Sequence, residues 1–148
     1  RDRLRSRGLG DVYKRQLLDR MDLCVKVEKV HYQELEQTTQ EESSESIRER
    51  VVMAHKRQRE RYEKEGFFYN SQIPAKKIAT FCALKKDEKR HMQQIYETLN
   101  LSVRSYHKIL KTARTIADIE GSEEIRMEHL HEAICYRSID SNFWERRR

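Results

Sequence analysis

The sequence predicts a mainly α-helical protein in which one β-strand precedes a bundle of four or five helices. Apolar residues recur at three- and four-residue spacing in successive segments after residue 46. The alternation of apolar and polar residues that is typical of a strand occurs in DLCVKVEKV, residues 22–30. One strand cannot complete a sheet, so we expect its partner strands to belong to sequence upstream of this chain.

The two ends of the chain hold its basic excess. Of the formal net charge of +6 over 148 residues, residues 1–16 contribute +4, from six Lys/Arg against two Asp, and the last four residues contribute +2. The stretch between them is neutral, so the overall charge is weak evidence for a phosphate-binding surface on the folded part. Residues 1–16 have no periodic apolar pattern and contain Gly8 and Gly10, and we interpret them as a non-native or disordered leader.

Composition excludes several classes of protein. The three cysteines are widely spaced and form no CxxC motif, which argues against a disulfide framework and against a cysteine-based zinc site. No apolar run approaches the roughly 20 residues that span a bilayer, and the N-terminus lacks the apolar segment of a signal peptide. We expect a cytoplasmic protein with no membrane partner.

The first predicted helix begins after an acidic, serine-rich connector. Ser46 and Glu49 have the spacing of a capping box, and the helix should run to about Glu63 before Gly66 stops it. Basic residues cover most of its surface. Its narrow apolar line consists of Ile47, Val51, Ala54 and Tyr62.

Four further helical segments follow. Pro74 can start a short helix, Asp87 caps the next one, and Ser102 caps a longer one that Gly121 ends. The last helix spans about residues 127–137. We expect their inward-facing residues to be Ile78, Phe81, Cys82, Met92, Ile95, Leu99, Val103, Tyr106, Leu110, Ala113, Ala117, Leu130, Ala133 and Ile134.

Taken alone, the chain shows no catalytic motif. It has neither a GxxxxGK[ST] phosphate loop nor a GxSxG elbow. His129 and His131 are two residues apart, which directs them to different sides of a helix, so we predict no metal site. The segment KRQRERYEK, residues 56–64, interleaves acidic with basic residues, which favours a solvated face of i,i+4 pairs over a DNA-binding helix, although DNA contact stays open.

Two arginines occupy positions that suggest a bound anion. Arg20 lies immediately before the predicted strand, where a side chain can project from the end of the element. Arg104 lies in the first turn of its helix, where the helix dipole disfavours a cation. A planar guanidinium that is always charged matches phosphate oxygens. Surface salt bridges worth at most about 1 kcal/mol are the alternative interpretation for both.

Three stretches together resemble the C-terminal part of the bacterial magnesium-chelatase-like AAA+ ATPases of the ComM/YifB group. They are LLDRMDLCVKV, ESSESIRERV and the block at residues 101–140 that begins LSVRSYHKIL. The resemblance implies that the helical bundle is the lid of an AAA+ ATPase and that the strand belongs to its truncated core. The domains would be a leader at 1–16, the end of the core at 17–30, a connector at 31–45, the lid at 46–140 and a basic tail at 141–148.

The same resemblance implies a function. The full-length protein would use ATP and Mg²⁺, assemble into a ring, with a hexamer expected, and act on DNA in branch migration. Arg20 would be the arginine finger that reaches a neighbouring subunit's nucleotide, and Arg104 would be the sensor-2 arginine, with Arg114 as a weaker alternative. Without a phosphate loop or a Walker B acid, this chain is not expected to bind these cofactors or to hydrolyse ATP alone.

Two other functions stay open at the level of sequence. The first is a motor subunit of a complex that inserts a metal ion into a porphyrin. The second is a free-standing helical module that binds DNA or serves as a scaffold.

Overall fold

The computed structural model describes residues 20–25, 27 and 42–145, and for residues 138–145 it describes only the backbone. This part is mainly helical, as predicted, and contains no strand. Its helices are α1 (Ser44–Arg61), α2 (Ile78–Phe81), α3 (Lys86–Thr98), α4 (Val103–Glu120) and α5 (Met127–Glu145), with single 3₁₀ turns at Asn70–Gln72 and Ala75–Lys77.

The start of α1 differs from the prediction. Its N-cap is Ser43, whose side chain accepts a hydrogen bond from the backbone N–H of Ser46 at 3.2 Å. Ser46 instead lies in the first turn and donates its hydroxyl to Glu42 at 2.8 Å. The capping-box assignment was therefore wrong, because two serines three residues apart compete for the cap and spacing alone does not choose between them.

The start of α3 also corrects the prediction. Its N-cap is Lys85, which makes no side-chain cap hydrogen bond, and Asp87 lies inside the first turn. There its carboxylate still interacts favourably with the helix dipole. In contrast, α4 begins at Ser102, which accepts from the N–H of Ser105 at 3.1 Å, and ends at Gly121, as predicted.

Helix α4 lies at the centre of the bundle and packs mainly against α5 and α1. The core contains Tyr62, Ile73, Ile78, Cys82, Met92, Ile109, Leu110, Ala113, Ile125, Leu130 and Ala133. The predicted core was wrong at four positions, whose side chains are about half exposed: Ile47, Val51, Leu99 and Val103. All four lie near a helix end or on the first turns of α1, where no described element covers them.

The described residues of the predicted strand are not paired in a sheet. Leu23, Val25 and Val27 are exposed, and the backbone N–H of Cys24 donates to the carbonyl of Tyr136 on α5 at 2.9 Å. A strand requires a neighbouring strand for its backbone groups, and among residues 20–25, 27 and 42–145 there is none. The rest of that segment, the leader and the connector lie outside the described residues.

Helix α5 continues to Glu145, past the predicted end near residue 137 and into the predicted tail. In the part of the chain described by the structure, no helix combines the length and the apolar character that crossing a membrane requires.

A buried polar network connects α1, the first 3₁₀ turn and α4. The Asp118 carboxylate, fully buried on α4, accepts hydrogen bonds from Arg61 at 2.9 Å and from the Asn70 amide at 2.8 Å. Asn70 also donates to the Thr115 hydroxyl at 3.0 Å and receives the phenol of Tyr62. These bonds join residues up to 57 positions apart, so they hold the ends of separate elements together.

The charges in this network compensate one another. Burial lowers the pKa of Arg61, but hydrogen bonding and the charge of Asp118 outweigh it, so the net pKa is raised. Arg114 also faces Asp118, at 3.3 Å, and burial there lowers its pKa. Nearby, Arg57 donates to the Asp118 backbone carbonyl at 2.7 Å, and its guanidinium would lie only 3.0 Å from a Cβ at Gly121. With φ at +87°, Gly121 suits both the turn and this close approach.

We expect Asp118→Asn to destabilise the bundle by about 3–5 kcal/mol, because it leaves two buried or half-buried guanidiniums without a counter-charge. Urea denaturation followed by circular dichroism measures this change. Asp87→Asn is the matched control, because Asp87 pairs with Arg90 on the exposed surface of α3; its effect should stay below about 1 kcal/mol. Equal effects of the two substitutions would contradict the assigned importance of the network.

We also expect Cys82 to resist alkylation in the native protein. Burial raises the pKa of its thiol to about 11, so the reactive thiolate is scarce at neutral pH. Iodoacetamide at pH 7.5, followed by peptide mass spectrometry, should modify the exposed Cys135 and modify Cys82 only after denaturation. Rapid labelling of native Cys82 would show that the core around it opens readily.

Candidate phosphate-binding surface

Arg104 occupies the second position of α4, directly after Val103. Ser102 caps the helix by accepting from the N–H of Ser105, and the other backbone N–H groups of this first turn have no partner within the helix. Arg104 is exposed, and it makes no hydrogen bond or salt bridge with any residue that the structure describes. The alternative interpretation of Arg104, a surface salt bridge, therefore finds no support among these residues.

The segment that contains Arg20 docks against α4 and α5. The Met21 carbonyl accepts hydrogen bonds from Lys108 at 2.9 Å and from Arg137 at 2.8 Å. Lys108 also forms a salt bridge of 2.9 Å with Asp22. These contacts join parts of the chain that are 87 and 116 residues apart, so the bundle fixes where the segment lies.

This docking brings the two predicted site arginines to the same region of the bundle. Arg20 directly precedes Met21, and Arg104 lies one helical turn before Lys108 on the same side of α4. Within the described ranges, the guanidinium of Arg20 is also without a hydrogen bond or salt bridge, and it is exposed. A guanidinium that has no partner among the described residues and lies on an exposed surface can donate hydrogen bonds to phosphate oxygens.

Lys108 is a positioning residue that the sequence analysis did not identify. Its side chain is only 14% exposed because it lies under the docked segment. The i,i+4 spacing of residues 104 and 108 places Lys108 on the same side of the helix as Arg104, and this could be read from the sequence. The spacing does not show that the partner of Lys108 is a backbone carbonyl 87 residues away. One turn further, Lys111 donates to the carbonyl of Ser71 at 2.9 Å, and burial lowers its pKa.

Arg114 is placed differently from the other two arginines. It is 4% exposed and donates to the carbonyls of Ser122 at 2.6 Å and Glu123 at 2.7 Å, in the turn between α4 and α5. Its Nε is buried without a partner among the described residues. Contact with a nucleotide would require Arg114 to give up these bonds.

Two clefts of the described part lie away from these arginines. A cleft of about 340 Å³ is lined by residues that include Arg61, Phe81, Lys85 and Arg114, and one of about 490 Å³ lies between α1, α4 and α5. Neither is lined by Arg20 or Arg104. The candidate surface is therefore open rather than enclosed, and a second surface would have to cover a ligand bound there.

Glu120, Glu128 and His129 bring three potential metal ligands within 4.8 Å, a group that the sequence analysis did not find. The contacts explain it without a metal. Arg126 bridges both carboxylates, at 2.5 Å and 3.0 Å. The Nδ1 of the buried His129 accepts from the N–H of Arg126 at 3.0 Å, which leaves the proton on Nε2, facing Glu120.

This arrangement is a helix cap. His129 is the third residue of α5, and its side chain returns to the backbone N–H that precedes the helix, as in a capping box. Hydrogen bonding to Arg126 and to His129 lowers the pKa of the Glu120 carboxyl. The cluster therefore stabilises the start of α5, and its donor set does not fit Mg²⁺, which needs free carboxylate oxygens.

Comparison with known proteins agrees with the resemblance seen in the sequence. The chain is 38% identical over 124 residues to YifB of Salmonella typhimurium and 37% identical over 123 residues to the competence protein ComM of Haemophilus influenzae. These matches cover 83% and 82% of this chain but 24% and 23% of the two relatives. A match to Escherichia coli YifB is 38% identical over 99 residues, which is 67% of this chain and 19% of that protein.

The chain thus spans about a quarter of the length of the first two relatives. Residues 41–137, which include α1 to α4 and most of the described part of α5, match the family model for the magnesium chelatase subunit ChlI C-terminal domain. This match covers well over half of the chain. The chain belongs to the family of magnesium chelatase subunit ChlI C-terminal domains.

Proposed function

We propose that this chain is the C-terminal helical lid of a bacterial magnesium-chelatase-like AAA+ ATPase that couples ATP hydrolysis to DNA remodelling. The observation that supports it most is that Arg20 and Arg104 have no partner among the described residues and lie in the region where Met21 contacts Lys108 and Arg137. Family membership supports the lid assignment. The relative named competence protein ComM supports a role in competence, and the expectation of DNA remodelling comes from the family resemblance.

In this proposal each arginine has a distinct role. Arg20 projects from the docked segment toward the nucleotide of a neighbouring subunit in a ring, for which we expect six subunits. Arg104 projects from the lid, and its capped helix end adds backbone N–H groups that favour an anion. Both guanidiniums would donate hydrogen bonds to phosphate oxygens and offset the negative charge that develops there during phosphoryl transfer.

The cofactors belong to the whole assembly. The free guanidiniums of this chain fit the phosphates of ATP, and the bound nucleotide supplies the phosphoryl group. Mg²⁺ would be held elsewhere in the protein. Among the described residues, the carboxylates that come closest to forming a metal site are Glu120 and Glu128, and both are already paired with Arg126. We place the assembly in the cytoplasm, where ATP and DNA are both available.

The lid can also transmit a signal. Because Lys108 and Arg137 join the Arg20 segment to two helices of the bundle, a shift of the lid moves both arginines together. Loss of a phosphate contact at Arg104 would therefore change the position of Arg20, and loss of a contact at Arg20 would change the position of Arg104. In this proposal the docked segment moves with the lid as one body, as in hinge closure of domains around a ligand.

We expect Arg20→Ala in the full-length protein to lower ATP turnover by about 10³ to 10⁵, the range seen for arginine fingers. Nucleotide binding should change little, because the other contacts with the nucleotide stay in place. A phosphate-release assay and fluorescent-nucleotide titration measure the two effects. Arg90→Ala is the matched control, since Arg90 is an exposed arginine of the same domain that pairs only with Asp87. Unchanged turnover in Arg20→Ala would reject the finger assignment.

The second candidate function is metal insertion, which the name of the magnesium chelatase family favours. A branch-migration assay distinguishes it from DNA remodelling. We expect the full-length protein with ATP to move the branch point of a labelled four-way DNA junction, and Arg20→Ala to abolish this activity. Native gel electrophoresis resolves the products. Failure to process any junction, together with ATP turnover stimulated by a porphyrin-binding partner subunit, would favour the chelatase motor instead.

A further inference from the structure

Two histidines from different helices meet at the surface of the bundle. His91 on α3 and His131 on α5 are 40 residues apart, yet their Nε2 atoms are separated by 3.2 Å. The rings are nearly perpendicular, at 74°, with centroids 4.9 Å apart. Neither ring has another hydrogen bond to a described residue, and His131 is exposed, so the paired nitrogens are accessible from solvent.

The separation of the nitrogens suits a shared metal ion. Two imidazole nitrogens that each lie about 2.0–2.1 Å from a tetrahedral Zn²⁺ are about 3.3 Å apart. The observed 3.2 Å agrees with this value. A cation could therefore bind both nitrogens with little movement of either helix, provided that neither Nε2 carries a proton in the bound form.

A third ligand would have to come from an acidic side chain on the same helix faces as the histidines. Glu88 precedes His91 by three residues on α3, and Glu128 precedes His131 by three residues on α5, a spacing that places each pair on one helix face. Glu128 is engaged by Arg126 at 3.0 Å. Glu88 makes no hydrogen bond or salt bridge within residues 42–137, so its carboxylate is available after a rotation of the side chain.

This pair differs from the Glu120, Glu128 and His129 group described above. In that group the backbone N–H of Arg126 occupies Nδ1 of His129 and directs the Nε2 proton toward a carboxylate. No such contact from a described residue fixes the tautomer of His91 or His131. Either ring can carry its proton on Nδ1 and present a lone pair at Nε2, which is the form that binds a metal.

We propose that His91 and His131 form a binding site for a divalent transition-metal ion that prefers imidazole, such as Zn²⁺, with Glu88 as a third ligand and water completing the coordination. The bound ion connects α3 to α5. Because Arg137 of α5 also binds the Met21 segment, the ion restrains the helix that positions Arg20. The metal site itself does not depend on the proposed ATPase function.

The experiment uses the 148-residue chain and ZnCl₂ as the probe, in isothermal titration calorimetry at pH 7.5. We expect one Zn²⁺ site in the unmodified protein. His91→Asn and His131→Asn should each weaken it by more than about tenfold, and Glu88→Gln should have a smaller effect. His55→Asn is the matched control, because His55 is an exposed histidine on α1 that lies outside the pair. Cys135→Ser, which removes an exposed thiol near His131, should also leave the affinity unchanged.

Two further measurements separate metal binding from folding. Circular dichroism of the metal-free variants reports whether they fold, and Zn²⁺ should raise the melting temperature of the unmodified protein but not that of the double histidine variant. If a variant does not fold, the NMR imidazole signals of the unmodified protein decide, since Zn²⁺ should shift those of His91 and His131. Binding that persists in the double variant, that is lost only in Cys135→Ser, or that is absent from the unmodified protein would overturn the proposal.

Discussion

The buried carboxylate of Asp118 is the interaction on which the arrangement of this domain depends. It is fully buried on α4 and faces Arg61 from α1, Arg114 from its own helix and the amide of Asn70. A charge in the interior is tolerated only when it is compensated, so these partners must be in place for the bundle to close. Apolar packing around Met92 and Ile109 supplies most of the burial, but it does not select which elements meet at this point.

The two halves of α4 make different kinds of contact. The C-terminal half is held by Asp118, by Arg114 bound to the turn after the helix, and by Arg57 at the last carbonyls. The N-terminal half is left to present Arg104 and Lys108 toward the docked segment. One helix thus joins a stability network at one end to a candidate phosphate-binding surface at the other.

Features that depend on neighbouring residues were predicted better from the sequence than features that depend on contacts between separate elements. The α4 cap at Ser102 and its end at Gly121 were predicted, because both use neighbouring residues. The α1 cap was placed at the wrong serine, and Ile47 and Val51 were assigned to the core but are exposed. The apolar stripe of a helix is buried only where another element packs against it. Periodicity does not show whether such an element is present.

Local pattern and family motifs were enough to establish a helical bundle, its family and the two arginines to test. The resemblance ranked Arg104 ahead of Arg114 as the sensor arginine, but the sequence could not show that these two arginines of one helix differ in burial. The fold did so, by burying one against the carbonyls of Ser122 and Glu123 and leaving the other exposed. The physical reason is that a charge is neutralised or left exposed by whatever surrounds it in space. The carbonyls that bind Arg114 lie eight and nine residues later in the turn after α4, and residue spacing alone does not show that this turn brings them to the guanidinium.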